Sequence, residues 1–248
     1  MIGFLADLGG WFLENWSGPA GWAHRVWEHI QVSAAAVGVA ALLGIPLGSW
    51  LGHLGRGGAV VASMVHLGRA LPSFGIVALS LPVTIRIAEQ VPFIRSGLGF
   101  FPTFIALFAL ALPPIFANTH AGIRNVDPGV VEAARAMGLT GAGTLMSVEL
   151  PAASPVIIAG LRTATVQVIA TATLGALVAY GGLGRFIIDG FAVRDDVQII
   201  AGALLVAVLA VMTELAFALL ERRLVPAPLR RSVRPPRRGE PGGVTVPR

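Results

Sequence analysis

Residues 96–123 have the sequence SGLGFFPTFIALFALALPPIFANTHAGI, a run of 28 residues in which only His120 is ionisable. An α-helix needs about 20 mostly apolar residues to cross a hydrocarbon core about 30 Å thick. The apolar residues of this run are continuous, whereas a strand of a membrane barrel alternates apolar and polar residues over about 10 positions. The stretch therefore predicts a membrane-spanning helix over 98–121.

Other apolar runs lie on both sides of it in the 248-residue chain, which is 55% hydrophobic and 12% charged. Soluble domains carry about 25% charged residues, so the composition excludes an ordinary soluble enzyme and a disordered protein. The chain has no cysteine, which excludes a disulfide framework and a thiolate metal site. We predict an all-α integral membrane protein with about five spanning helices, at roughly 28–50, 59–81, 98–121, 154–179 and 197–220.

The long connection over 122–153 has its own helix signals. Asp127-Pro128 supplies an N-cap and a proline suited to the first helical position, and this predicts a short helix over 130–137. Gly138 favours a helix stop. A second short stretch is expected to end at Leu150-Pro151, where the proline begins the next spanning helix. We therefore expect two short helices along the membrane surface.

The same connection resembles the EAA loop of ABC-importer permeases, a pattern of EAA, three residues, glycine, nine residues, isoleucine, one residue and LP. Valine in place of isoleucine is the one departure. Further along, Gly181-Gly182-Leu183-Gly184 is similar to the GGLG turn of that family, and the resemblance covers roughly residues 28–220. The residues that match the loop pattern are Glu132, Ala133, Ala134, Gly138, Val148, Leu150 and Pro151.

The resemblance implies a type I ABC-importer permease fold with a cytoplasmic coupling loop over 122–153. The implied partners are a cytoplasmic ABC ATPase dimer, a second permease subunit (identical or homologous), an extracytoplasmic solute-binding protein and the lipid bilayer. The chain is then a transport subunit with no enzymatic activity and no cofactor. A chain without lysine also cannot form the usual phosphate-binding loop of an ATPase.

The residue types of the loop suit such a contact. In the family, the EAA helix inserts into a cleft on the ATPase, and the small Ala133 and Ala134 allow a close approach. Glu132 can pair with a basic or amide group of the partner, or stabilise its own helix in the first turn. The alternative is an amphipathic hairpin in which Glu132 is only a solvated acid.

Two further stretches are similar to permeases for glycine betaine, carnitine and choline. They are Ala111 to Pro128, with its pattern ALPPI, NT, GI and VDP, and Leu71-Pro72-Ser73-Phe74. We therefore predict an importer of compatible solutes. The alternatives are a permease for methionine or another small solute, a stand-alone channel or secondary carrier, and a membrane scaffold.

Charged residues within apolar stretches are costly, and they are functional candidates by default. An Arg162–Glu214 ion pair between two helices is one hypothesis, and snorkelling to a helix end is the other. His66 and His120 are expected to be packing histidines, and no metal site is expected. Prolines in the apolar runs predict kinks whose freed carbonyl groups can line a pathway. The candidates for the translocation path are Arg69, Pro72, Ser73 and Phe74.

The two ends of the chain set the expected topology. Residues 1–27 contain four of the five tryptophans, which favours an N-terminal interfacial segment. Residues 28–221 form the predicted transmembrane domain. Residues 222–248 carry eight arginines against one acid and are expected to be a disordered cytoplasmic tail rather than a nucleic-acid-binding surface. The prediction is a multi-pass protein of the bacterial inner membrane with the N-terminus outside and the C-terminus inside.

Overall fold

The computed structural model describes residues 2–70, 73–91 and 97–224, and every regular element in these ranges is helical. A π-turn over Leu145–Glu149 joins α7 to α8, and a 3-10 segment over Ala172–Val178 follows α8. The prediction of an all-α protein is confirmed. The α-helices are α1 (Ile2–Glu14), α2 (Trp22–His53), α3 (Gly58–Ala70), α4 (Ser73–Gln90), α5 (Phe100–Arg124), α6 (Pro128–Ala136), α7 (Gly141–Thr144), α8 (Leu150–Thr171), α9 (Gly184–Val193) and α10 (Asp196–Leu224).

Four segments of the described chain are long and apolar enough to cross a membrane, judged by length and composition. They correspond to the predicted spans at 28–50, 98–121, 154–179 and 197–220. The segments are Trp22–His53, Phe100–Arg124, Gly141–Val178 and Asp196–Arg223.

The remaining predicted span, over 59–81, falls on two helices. Helix α3 ends at Ala70, and α4 begins at Ser73 and continues to Gln90. Neither is among the four long apolar segments, so a single spanning helix over 59–81 is not confirmed. Leu71 and Pro72 lie outside the described residues.

The second half of the coupling loop contains the short α7 and the π-turn, and α8 begins at Leu150 with Pro151 in its first turn, as the sequence predicts. What differs is the connection, because the chain stays helical from Gly141 to Val178 without a break. Proline has no N–H and clashes with the carbonyl group four residues earlier, and the wider π-turn just before it relieves that conflict. In this turn the Leu150 N–H donates to the Leu145 carbonyl group, five residues back. The fourth spanning segment therefore begins within the coupling loop.

Helices α2, α5 and α8 form the core, because small residues let their backbones approach. On α2, buried small residues recur every fourth position along the face that packs against α5. A methyl group added at Gly48 would lie 2.9 Å from the Phe116 carbonyl oxygen, so this contact tolerates no side chain. The small residues of this stripe are Ala36, Ala40, Gly44, Gly48 and Gly52.

Helix α10 is the least enclosed of the long helices. Its most apolar 18-residue window has no buried residue, and its exposed side chains include Val208, Val211 and Leu215. At the start of the chain, Trp11 of α1 stands edge-on to Phe186 of α9, with ring centroids 5.0 Å apart. Helix α1 is thereby attached to the end of the bundle where α2 begins.

Candidate functional sites at the two ends of the bundle

The short helix of the coupling loop is defined by its caps. The Asp127 side chain accepts a hydrogen bond of 2.8 Å from the Gly129 N–H. At the other end, the Gly138 N–H donates to the Arg135 carbonyl group and the Leu139 N–H to the Ala134 carbonyl group, which is the Schellman arrangement. Gly138 has a φ of +91°, a conformation that glycine adopts without strain. The predicted short helix, its N-cap at Asp127 and its stop at Gly138 are confirmed.

Helix α6 presents one side to the bundle and the other to the surroundings. Ala134 is 2% exposed, whereas Glu132 and Ala133 are exposed. Met137, the C-cap, is 77% exposed, a high value for an apolar side chain. Glu132 has no hydrogen-bond or ion-pair partner within the described chain. The exposed side of α6 thus combines small, apolar and acidic groups that the described residues do not cover.

The rest of the EAA pattern lies in the continuous helix that follows. Val148 and Leu150 are half-buried and Pro151 is exposed. Leu150 packs against a cluster formed by Ile123, Ala153 and Ile157. The pattern therefore joins an exposed short helix to the core of the bundle.

A buried polar pair fastens this loop to α2. Nδ1 of His53, the last residue of α2, lies 2.6 Å from a carboxylate oxygen of Glu149 in the π-turn, and the Glu149 side chain is 5% exposed. A second contact near this end of α2 joins α5 to the turn that follows α2. Nε2 of His120 lies 2.8 Å from the Arg56 carbonyl oxygen. The pairing of His53 with Glu149 is not predicted from the sequence. The only signal was an acid in a largely apolar stretch, and nothing local indicated its partner.

The opposite end of α2 carries a second cluster, which we name the turn clamp: Glu28, His29, Tyr180 and the turn over 181–184. The Gly182 N–H donates to the Glu28 carboxylate over 2.8 Å. The Tyr180 hydroxyl donates to the Glu28 carbonyl oxygen over 2.7 Å. The Leu183 N–H donates to Nδ1 of His29. Since Nδ1 accepts, the proton of this imidazole is on Nε2, which donates to the Ile169 carbonyl oxygen over 2.9 Å.

The geometry of the turn clamp explains the glycines of the GGLG turn. A methyl group at Gly181 would overlap the Glu28 carboxylate, and one at Gly184 would overlap the Thr173 carbonyl group. Gly182 has a φ of +77°, which favours glycine. Burial raises the pKa of Tyr180 to about 12, and the nearby Glu28 charge acts in the same direction. In the turn clamp, His29 of α2 is 24 residues from His53 at the other end of the helix, which is about 36 Å along a helix.

The structure places Arg162 and Glu214 side by side, in an ion pair between α8 and α10. A second carboxylate, that of Glu221, lies 3.8 Å from the Arg162 guanidinium. All three side chains are about one-third to two-fifths exposed.

The path candidates are only partly within the described structure. The Arg69 side chain and Pro72 lie outside it, Ser73 is half-buried, and Phe74 on α4 is 57% exposed. Instead, a cavity of about 330 Å³ lies between α3, α5 and α8, and neither Ser73 nor Phe74 lines it. His66 is exposed, while His120 is 9% exposed.

Comparison with known proteins gives consistent results. A family model described as binding-protein-dependent transport system inner membrane component matches residues 44–226. The choline transport system permease protein of Bacillus subtilis is 36% identical over 208 residues, which is 84% of this chain and 90% of the relative. The carnitine transport permease protein of Listeria monocytogenes is 36% identical over 83% of this chain and 89% of its own length.

A third relative extends the match. The glycine betaine/carnitine/choline transport system permease protein of Bacillus subtilis is 32% identical over 91% of this chain and 94% of its own length. Among solved structures, a chain of the MetNI methionine ABC transporter in an inward-facing conformation superposes with a TM-score of 0.72. It covers 85% of this chain and all of that chain, at 22% identity. This last similarity concerns the fold.

Proposed function

Since the chain belongs to the family of binding-protein-dependent transport system inner membrane components, we propose that it is a permease subunit that imports compatible solutes of the glycine betaine, carnitine and choline class. The family is that of multi-pass membrane permeases of ABC importers, which work with an ATPase and a solute-binding protein. ATP hydrolysis therefore takes place on a separate subunit, and the contribution of this chain is the passage and its coupling.

The relatives decide between the alternatives. Family membership is inconsistent with a stand-alone channel, a secondary carrier or a scaffold. The methionine alternative rests on a likeness of fold at 22% identity, whereas three osmoprotectant permeases reach 32–36% identity over more than four-fifths of the chain. The substrate class follows the relatives.

The observation that carries the coupling role is the uncovered side of α6. Glu132 and Ala133 are exposed and Met137 is 77% exposed, so this surface fits a cleft on an ATPase. Ala134 faces the bundle and anchors the helix. Gly138 turns the chain towards Val148, Leu150 and Pro151, which carry displacement of α6 into the long helix that contains α8.

The proposed topology places the coupling loop and the tail over 222–248 in the cytoplasm and the turn clamp outside. Eight arginines against one acid support a cytoplasmic tail. The segment 1–27 then lies at the outer interface, beside the solute-binding protein. A second permease subunit, identical or homologous, completes the passage. Single cysteines at Arg135 and Glu14, both exposed, should react with an impermeant thiol reagent from opposite sides of the membrane.

The Arg162–Glu214 pair has a structural role in this proposal, because it joins α8 to α10 where two charges are costly to leave alone in a membrane. A double-mutant cycle tests it. Arg162→Ala and Glu214→Ala should each lower the melting temperature, and the double variant should lose less than the sum. Independent effects would contradict the pairing. Residues 69–74 remain proposed contributors to the passage.

Uptake by the reconstituted transporter tests the function. Proteoliposomes would contain this chain with its cognate ATPase and solute-binding protein, and uptake of labelled choline, carnitine, glycine betaine and methionine would be followed with and without ATP. We expect ATP-dependent uptake of at least one quaternary ammonium solute. Uptake of methionine alone would contradict the substrate class.

A charge reversal tests the coupling surface. Glu132→Arg should lower ATP-dependent uptake at least about tenfold, which corresponds to about 1.4 kcal/mol of lost interaction. The matched control is Glu89→Arg, which reverses an exposed acid of α4 outside the coupling loop. Unchanged uptake in the Glu132 variant would contradict the assignment of α6.

A further inference from the structure

The cavity between α3, α5 and α8 has a lining of unusual composition for a membrane-embedded region. Its volume of about 330 Å³ is at the lower end of the range of small-molecule sites. Five apolar and three polar residues line it, and none of them is ionisable or aromatic. The lining residues used in the argument are Val65, Pro113, Pro114, Asn118, Thr163 and Gln167.

The α8 wall of the cavity is polar and open. Thr163 and Gln167 are both exposed and lie one turn apart, in the middle of the spanning segment. The Thr163 hydroxyl donates to the Ala159 carbonyl group over 2.9 Å. The Gln167 amide has no hydrogen-bond partner among the residues that the structure describes.

An unpaired amide in contact with lipid chains is costly, because hydrocarbon offers neither donors nor acceptors. Helix α10 provides the contrast within the same chain, since its exposed positions Val208, Val211 and Leu215 are apolar. The exposed face of α10 suits lipid. The exposed face of α8 at Thr163 and Gln167 instead needs water or a polar ligand.

The α5 wall adds backbone oxygens. Pro113 and Pro114 have no N–H, so the carbonyl groups of Leu110, within the lining, and of Ala109, next to it, lose their usual donors four residues later. The Asn118 amide donates to the Pro114 carbonyl group over 2.8 Å, which fixes this side chain against the kink. Both walls therefore present uncharged dipoles to the cavity.

We propose that this cavity is where the transported solute contacts the permease on its way through the membrane, with Gln167 and Thr163 as the residues that touch it. The inference rests on the proposed function. The ligand class is a small zwitterion or quaternary ammonium cation: carbonyl, hydroxyl and amide oxygens can face a diffuse positive charge, and the amide N–H groups of Gln167 can face a carboxylate. A lining without a countercharge or an aromatic cage holds such a solute weakly, as passage requires.

The lack of cysteine in the chain allows a direct test. Gln167→Cys introduces the only thiol of this subunit, and the probe is a membrane-impermeant methanethiosulfonate that carries a trimethylammonium group. Labelling of this subunit would be measured by mass spectrometry in the transporter reconstituted with its ATPase and binding protein. Leu215→Cys on α10, 59% exposed in the unmodified protein, is the matched control. Thr163→Cys repeats the test one turn away.

We expect Gln167→Cys and Thr163→Cys to react at least about tenfold faster than Leu215→Cys, because the charged reagent reaches water-filled space but not hydrocarbon. Reaction should block solute uptake and leave ATP hydrolysis stimulated by the binding protein in place. The same reagent should not affect the transporter with the natural subunit.

Two results would overturn the inference: equal labelling rates at the three positions, or full labelling at Gln167→Cys and Thr163→Cys without any loss of uptake. Neither result bears on the proposed function, which is read from uptake by the unlabelled transporter. Conversely, failure of the natural transporter to take up any quaternary ammonium solute would contradict the proposed function, while the labelling rates would still report whether the cavity is open to water.

Discussion

The two ends of α2 differ in how many of the nearby polar groups and surfaces are paired or covered by the described chain itself. In the turn clamp, side-chain and backbone groups from three distant segments pair with one another, and Gly181 and Gly184 leave no room for a methyl group. In the coupling loop, local caps hold α6 and one buried pair holds the π-turn, while the far side of α6 stays uncovered by the described residues. The difference indicates that the clamp closes the chain on itself and that the coupling loop is completed by a partner. Substitutions in the clamp should therefore affect folding, and those on the exposed side of α6 should affect transport.

The largest effect is expected in the turn clamp. Gly184→Ala places a methyl group against the Thr173 backbone carbonyl group, and a backbone atom cannot move aside as a flexible side chain can. We expect a loss of about 3 kcal/mol in the free energy of unfolding, measured as a lower melting temperature in detergent.

The control for this variant is Gly38→Ala on α2, where an added methyl group meets nothing within 4 Å. Alanine favours a helix over glycine by about 1 kcal/mol, so the control should be neutral or slightly stabilising. If the two variants melted alike, the tight closure of the clamp would be refuted.

The next effect should come from the fixed contact of the coupling loop. Glu149→Ala removes the buried member of the pair and leaves the half-buried His53 without its partner, which should cost about 2 kcal/mol. Glu149→Gln keeps an oxygen that can accept from His53 and should cost about half as much. In both variants, we expect uptake to fall further than stability explains, because the pair fixes the loop to α2. The measurements are melting temperature and ATP-dependent uptake of the same preparations, and a loss of stability with full uptake would contradict the link.

A smaller effect is expected at Gly138. An added Cβ there would meet no atom within 4 Å, but the backbone has a left-handed conformation. A residue with a Cβ in this conformation costs about 1–2 kcal/mol. Gly138→Val should therefore lower uptake without a change in the melting of the bundle, because α6 has few contacts with the core. Gly138→Asn is the matched variant, since asparagine tolerates this conformation better. Equal uptake in the two variants would show that the conformation of Gly138 is unimportant for coupling.

Much of this comparison could be predicted from local sequence. The caps of α6 at Asp127 and Gly138 follow short-range rules, and the apolar runs located four of the long helices. The proline rule at Pro151 located the start of α8 correctly but gave no sign of the π-turn before it, through which the helix continues. A local signal predicts a local structure, and it fails where a neighbouring irregularity changes the hydrogen-bond pattern.

The contacts that distinguish the two ends could not be predicted in this way. Glu28 pairs with a backbone group 154 positions later, and His53 pairs with Glu149 across 96 positions. Such pairs depend on which helix ends lie next to each other in the fold, and a single sequence does not indicate which ends these are. The resemblance to a GGLG turn located the turn but gave no reason for its glycines. The reason is the Glu28 carboxylate and the Thr173 carbonyl group, which only the structure brings to them.

The smallest expected effect concerns the hydrogen bond from Tyr180 to the Glu28 carbonyl group, and it can be measured by pH. The folded-state pKa of Tyr180, about 12, lies above the ordinary value of about 10 for tyrosine, so the fold favours the neutral phenol. This contribution to stability is complete below pH of about 10 and is lost as the pH rises through about 12.

The chain has one tyrosine, no cysteine and no lysine, so Tyr180 is the only side chain that titrates in this window. The melting temperature should therefore fall between these two pH values in the natural protein and stay level in Tyr180→Phe, which loses about 1 kcal/mol at neutral pH. Parallel pH profiles, or a phenolate absorbance that develops with a midpoint near pH 10, would show that the clamp is open to water at Tyr180.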